Sequence, residues 1–161
     1  MSVTKLRVMP GAPKILLSDA LYAQDPQTFI KNPDIRLVIN TSVDSPASSA
    51  MKKFYVANGI DYLYAPLADI DMPPPPDFLP KIVKFVKKHD SDTILIHCSA
   101  GVNRSALLAA AILWYTTPNR QLYWSTPKEL IEYMRTRQIS DRKYPLLIND
   151  TFYNYLLKNL K

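Results

Sequence analysis

The thiol of Cys98 and the guanidinium of Arg104 stand at the two ends of a short run, His97-Cys98-Ser99-Ala100-Gly101-Val102-Asn103-Arg104-Ser105, and together they suit chemistry on a phosphate. Thr93 to Ile96 read as a short buried strand and Ser105 to Tyr115 as an apolar helix, so the run joins a strand end to a helix start. Backbone N–H groups in such a loop have no helical partner, and the helix dipole adds partial positive charge at the same point. The amides of Ser99, Ala100, Gly101, Val102 and Asn103 can therefore ring a dianionic phosphoryl group. Arg104 adds a planar fork that bonds two of its oxygens and never loses its charge. The same field favours the thiolate of Cys98, which makes the sulfur a nucleophile at neutral pH. Gly101, one of three glycines in the chain, suits a loop that must turn its amides inward. Ser105 is placed to donate a hydrogen bond to the departing sulfur, and His97 to fix the loop from behind. A lone cysteine before a helix is more often a buried structural residue. Its company of His97, Gly101, Arg104 and Ser105 argues for the reactive role.

Cleaving a phosphoester also requires a proton for the leaving oxygen, which neither Cys98 nor Arg104 supplies. Asp69 and Asp71 both follow a strand candidate at Ile60 to Pro66, on a loop able to reach over Cys98. The implied reaction has two steps. Cys98 attacks phosphorus while the acid protonates the leaving group, and the ionised acid then activates water against the thiophosphoryl enzyme. No metal takes part and no cofactor is called for. With one cysteine there is no zinc site, no internal disulfide, and no partner to resolve an oxidised Cys98, so peroxide should inactivate the protein.

The His-Cys-x5-Arg-Ser pattern at His97 to Ser105 resembles the signature of the cysteine-dependent phosphatases, and the chain is similar, nearly end to end, to the small dual-specificity protein phosphatases. Leu16 to Ala20 and Leu37 to Thr41 are similar to that family's opening strands, and Tyr62 to Asp69 to the strand and loop carrying its acid. Met134 to Arg137 and Asn149 to Leu156 resemble its last two helices. The run Ala100 to Ser105 is also similar to that of virus-encoded members. The resemblance implies an α/β fold with a mostly parallel central sheet and helices on both faces. It also implies Asp69 rather than Asp71 as the acid, because Asp69 follows Pro66-Leu67-Ala68 as in the family pattern. Phosphotyrosine, phosphoserine and phosphothreonine proteins are the implied substrates. The loop itself agrees, since Ser99, Ala100, Val102 and Asn103 lack the extra cations that inositol polyphosphates call for. Two other readings stay open: an RNA 5'-triphosphatase using the same loop, and a phosphate-binding module without turnover.

The remaining sequence is compatible with one catalytic domain over residues 1–161. At 161 residues and 47% hydrophobic, the chain can bury a real core. Strands are expected at Lys14 to Ser18, Ile35 to Asn40, Ile60 to Pro66 and Thr93 to His97, as short apolar runs bounded by turn residues. Asp25-Pro26, Ser45-Pro46 and Thr126-Pro127 each read as a cap and first helical residue, with Glu129 completing a capping box and Gly59 closing the helix begun at Pro46. Asp77 should cap a helix over Phe78 to Lys88. Strands alternating with helices predict chemistry at the strands' carboxyl ends, where Cys98 falls.

A net charge of +6 attracts phosphorylated proteins and nucleic acid alike. Lys81, Lys84, Lys87 and Lys88 fit the wet face of a helix. Arg135, Arg137, Arg142 and Lys143 are candidates to steer an acidic substrate at the active-site rim. The prolines at 73 to 76 are expected to stiffen the acid loop rather than to dock a partner. Met1 to Pro10 has no secretory apolar stretch, and Ala106 to Tyr115 is too short to span a bilayer. A cytoplasmic location, in the nucleus as well or in a virus-infected cell, with no membrane partner, is the expectation.

Overall fold

The computed structural model describes residues 3–6, 11–89, 92–138 and 145–161. Three apolar runs form the middle of the sheet: β2 (Lys14–Ser18), β3 (Ile35–Asn40) and β5 (Thr93–His97). With β1 (Val3–Leu6) and β4 (Asp61–Tyr64) they make five strands in the order β1-β2-β5-β3-β4, all parallel except β1, which runs antiparallel to β2. The bounds of β2, β3 and β5 match expectation because strands covered on both faces read as near-continuous hydrophobic runs.

Successive side chains on these strands serve different layers. Leu37, Ile39, Ile94 and Ile96 pack with α4 (Phe78–Val86), α5 (Arg104–Thr116), α6 (Pro127–Thr136) and α7 (Asp150–Asn159). Val38 and Leu95 face the other way, against Phe29 of α2 (Pro26–Lys31) and Met51 and Tyr55 of α3 (Ser49–Ala57). A one-turn helix, α1 (Ala20–Ala23), follows β2. The central helix α5 is buried from Arg104 to Trp114, which fixes its first residues rigidly beneath the end of β5.

Several local expectations need correction. The Ser45-Pro46 pair does not start a helix: Ser48 caps α3 through the amide of Met51, because residues 41–46 are drawn inward by the buried Asn40. β4 covers only Asp61–Tyr64, since the Ile60 amide bonds to Tyr55 at the end of α3. Asp77 makes no cap bond and instead pairs with Lys81 at 3.0 Å. Thr126 does cap α6, but Glu129 reaches one residue further back, accepting from the amide and hydroxyl of Ser125. Lys81, Lys84, Lys87 and Lys88 are all exposed, as their spacing suggested.

Candidate active site

β5 delivers Cys98 to the carboxyl edge of the sheet, between β2 and β3. The sulfur is buried, at 2% residue exposure. It accepts the N–H of Gly101 at 3.1 Å and lies 3.5 Å from the hydroxyl of Ser105. Nucleophile, loop amide and a potential donor to the leaving sulfur are thus already assembled.

The inward turn of the loop follows from what holds its carbonyls. Ser99 C=O accepts from the Ala20 amide at 3.3 Å, and Val102 C=O from the Leu147 amide at 2.9 Å. Because C=O and N–H of a trans peptide point in opposite directions, the amides of Ala100 and Asn103 are turned away from Ala20 and Leu147. Gly101 adopts φ +72°, and a Cβ there would lie 2.7 Å from the Ser18 carbonyl carbon and oxygen. Glycine is required both by conformation and by space.

Arg104 opens α5 and is nearly enclosed, at 8% exposure. Its Nη1 donates to Leu67 C=O at 3.3 Å and stands 3.8 Å from a carboxylate oxygen of Asp44. Its buried Nε has no partner among the described residues. A buried N–H is costly when unsatisfied, so an oxyanion seated in the loop would complete this guanidinium.

Behind the loop, His97 is buried at 1% exposure. Desolvation pushes its pKa down to about 4, against weaker opposing pulls from the Cys98 backbone and the Asp19 carboxylate, so the ring is neutral. Its carbonyl accepts the amide and hydroxyl of Thr41, each at 2.9 Å.

Asp69 and Asp71 part company in the structure. Asp69 takes the side-chain amide of Asn103 on one oxygen at 2.9 Å and that of Asn149 on the other at 2.8 Å. Asn149 also donates its backbone N–H to Asn103 Oδ1 at 3.0 Å, while its own Oδ1 caps α7 through Phe152 N–H at 3.1 Å. Asp69 is therefore joined to the loop between Cys98 and Arg104. Asp71 accepts the hydroxyl of Thr151 and is turned toward the start of α7.

Three features escaped the sequence reading. Asn149 looked only like a helix start; its link to Asp69 has no local signal. Asp44 lies after β3, at the same carboxyl edge as Cys98, and that placement is the signal that would have found it. Arg135 is the third, and it corrects an expectation: its Nε and Nη2 bond to the carbonyls of Leu146 and Leu147 at 2.8 and 3.1 Å, and its guanidinium lies over Tyr153. Its guanidinium is thus committed to propping the segment that holds Val102. Arg137 is exposed, whereas Arg142 and Lys143 lie outside the described residues. Among the described residues, no three His, Cys, Asp or Glu side chains group as a metal site, and no helix is long and apolar enough to cross a membrane.

Residues 17–153 match the family described as dual specificity phosphatase, catalytic domain. The chain belongs to that family. Over 113 residues this dual-specificity phosphatase domain is 28% identical to the dual specificity protein phosphatase Mpk3 of Drosophila melanogaster, an alignment that covers 69% of the chain and 26% of Mpk3. The chain thus spans about a quarter of that relative's length. Its fold is similar to that of human DUSP28, with a TM-score of 0.64 at 19% identity over 95% of this chain and 90% of the other. It is also similar to OH1 of the Orf virus, a tyrosine phosphatase, with a TM-score of 0.62 at 21% identity over 97% and 86% of the two chains.

Proposed function

We propose that the domain hydrolyses phosphotyrosine, phosphoserine and phosphothreonine in proteins through a phosphocysteine intermediate. The observation that carries this reading is the position of Cys98 Sγ, 3.1 Å from the Gly101 amide and 3.5 Å from Ser105, in a loop that ends at the buried Arg104.

In the first step a new S–P bond forms as the P–O ester bond breaks, and the leaving oxygen takes the proton of Asp69. In the second, Asp69 accepts a proton from water, the water oxygen bonds to phosphorus, and the S–P bond breaks. Sulfur departs as thiolate with the Ser105 hydroxyl at hand. Arg104 and the loop amides of Ser99 to Asn103 hold the equatorial oxygens through both steps. These donors supply the charge stabilisation that a metal ion would otherwise bring, so turnover in excess chelator is expected.

The test uses phosphopeptides of all three kinds, and triphosphate-ended RNA, with wild type, Cys98→Ser and Asp69→Asn. Loss of turnover with retained ligand in Cys98→Ser, together with a labelled phosphoenzyme in acid-quenched wild type, supports the proposal. Faster cleavage of RNA ends than of phosphopeptides would reassign the substrate. Ligand binding with no turnover by wild type would make the domain a phosphate reader.

A further inference from the structure

We propose that Asp44 competes with the substrate's phosphoryl group for Arg104, and so biases the site toward a single phosphoester and against a polyphosphate chain. This rests on reading Cys98 to Arg104 as a phosphate cradle.

Asp44 sits between β3 and α3. Its Oδ1 accepts the hydroxyl of Ser99 at 2.8 Å and stands 3.8 Å from Arg104 Nη1, while 65% of its side chain is open to solvent. The carboxylate is not carried there on a loose loop. Asn40, fully buried at the end of β3, donates Nδ2 to Ser45 C=O at 2.8 Å and to the Tyr62 hydroxyl at 3.1 Å. Its Oδ1 accepts from the amide and hydroxyl of Ser42 at 2.9 and 2.6 Å. Thr41 is tied to His97 C=O as well. The turn that presents Asp44 is therefore anchored on both sides of it, and the buried strand end holds one carboxylate against the phosphate loop.

Its charge is the consequence. The Ser99 hydroxyl, followed more weakly by Arg104, holds the Asp44 carboxyl below the usual carboxylate range, so it is ionised at neutral pH. A phosphoryl group forked by Arg104 then brings a dianion beside a fixed anion on the same guanidinium. No cation at Ser99, Ala100, Val102 or Asn103 offsets this. Each further phosphate brings more negative charge to a cradle flanked by Asp44, whose side chain is 65% open to solvent, and so adds to the repulsion. A role for Asp44 in steadying Arg104 predicts the opposite sign, since removing its charge would then weaken phosphate binding.

The experiment titrates inorganic orthophosphate and tripolyphosphate into Cys98→Ser and Cys98→Ser/Asp44→Asn proteins by calorimetry at low salt. Asparagine keeps the shape and an acceptor for Ser99. The expected result is about fivefold tighter orthophosphate and about tenfold or more tighter tripolyphosphate with Asp44→Asn, both gains shrinking as salt is raised. In the Cys98 background, KM for p-nitrophenyl phosphate falls with Asp44→Asn. Unchanged or weaker anion binding, or a lower kcat at unchanged KM, overturns the proposal. If Cys98→Ser protein binds neither anion, the cradle reading fails and this inference with it.

Discussion

The side-chain amide of Asn103 donates to Asp69 at 2.9 Å, so the last variable residue of the Cys98 to Arg104 loop and the proposed acid are one hydrogen-bonded unit. Asn103 touches neither phosphorus nor the leaving oxygen in the proposed mechanism; it aims Asp69. Replacing it with alanine should lower kcat/KM, which reports the first step and not hydrolysis of the phosphoenzyme, about tenfold on a phosphoserine peptide, whose alkoxide needs the proton. p-Nitrophenyl phosphate, with its stable phenolate, should be affected far less. Equal losses in kcat/KM on the two substrates would show that Asn103 acts elsewhere.

Arg104 is enclosed, with Nη1 already committed to Leu67 C=O. A lysine ammonium in its place is a point charge on a flexible stem and cannot fork two oxygens. We expect Arg104→Lys to reduce kcat by about 10²–10³ and to weaken orthophosphate binding in the same protein. Near-normal turnover would remove Arg104 from the mechanism.

The buried His97 should leave a mark on acid stability. Its pKa in the folded protein is about 4 against 6.5 when exposed, so below pH 6.5 the unfolded chain binds a proton that the folded one does not. Stability is therefore fully present above that range and falls as pH drops from 6.5 toward 4, by roughly 3 kcal/mol in all. Urea unfolding at pH 4.5 and pH 7.5 should show this slope in wild type, and a shallower one in His97→Gln.

Gly101→Ala places a Cβ 2.7 Å from the Ser18 main chain at φ +72°. Both obstacles are backbone and cannot rotate away. The substitution should cost about 2–4 kcal/mol and displace the amide that faces Cys98. Thermal unfolding reads the first effect and kcat the second; a variant as stable and active as wild type would contradict the geometry.

How far the sequence could reach depended on whether a feature is local. Cys98, Gly101, Arg104 and Ser105 lie within eight residues, and their types announce the loop. β2, β3 and β5 were legible because burial on both faces demands unbroken apolar runs. β1 was not, since Val3-Thr4-Lys5-Leu6 is a short antiparallel edge strand with a lysine in it. The helix start at Ser45-Pro46 misled because the pull on that segment comes from Asn40, whose amide bonds cross the turn. Asn149 and Asp69 meet across eighty positions, and no periodicity records such a meeting.

That meeting sets an order of events in the life of the molecule. Asn149 both caps α7 and holds Asp69, so the proposed proton donor is aimed only after α7 has docked. A chain in which α7 has not yet packed against α5 would hold its sulfur and arginine in the loop while the carboxylate of Asp69 swung untethered by Asn149. Full hydrolytic competence would therefore wait on the docking of a helix that carries none of the reacting groups.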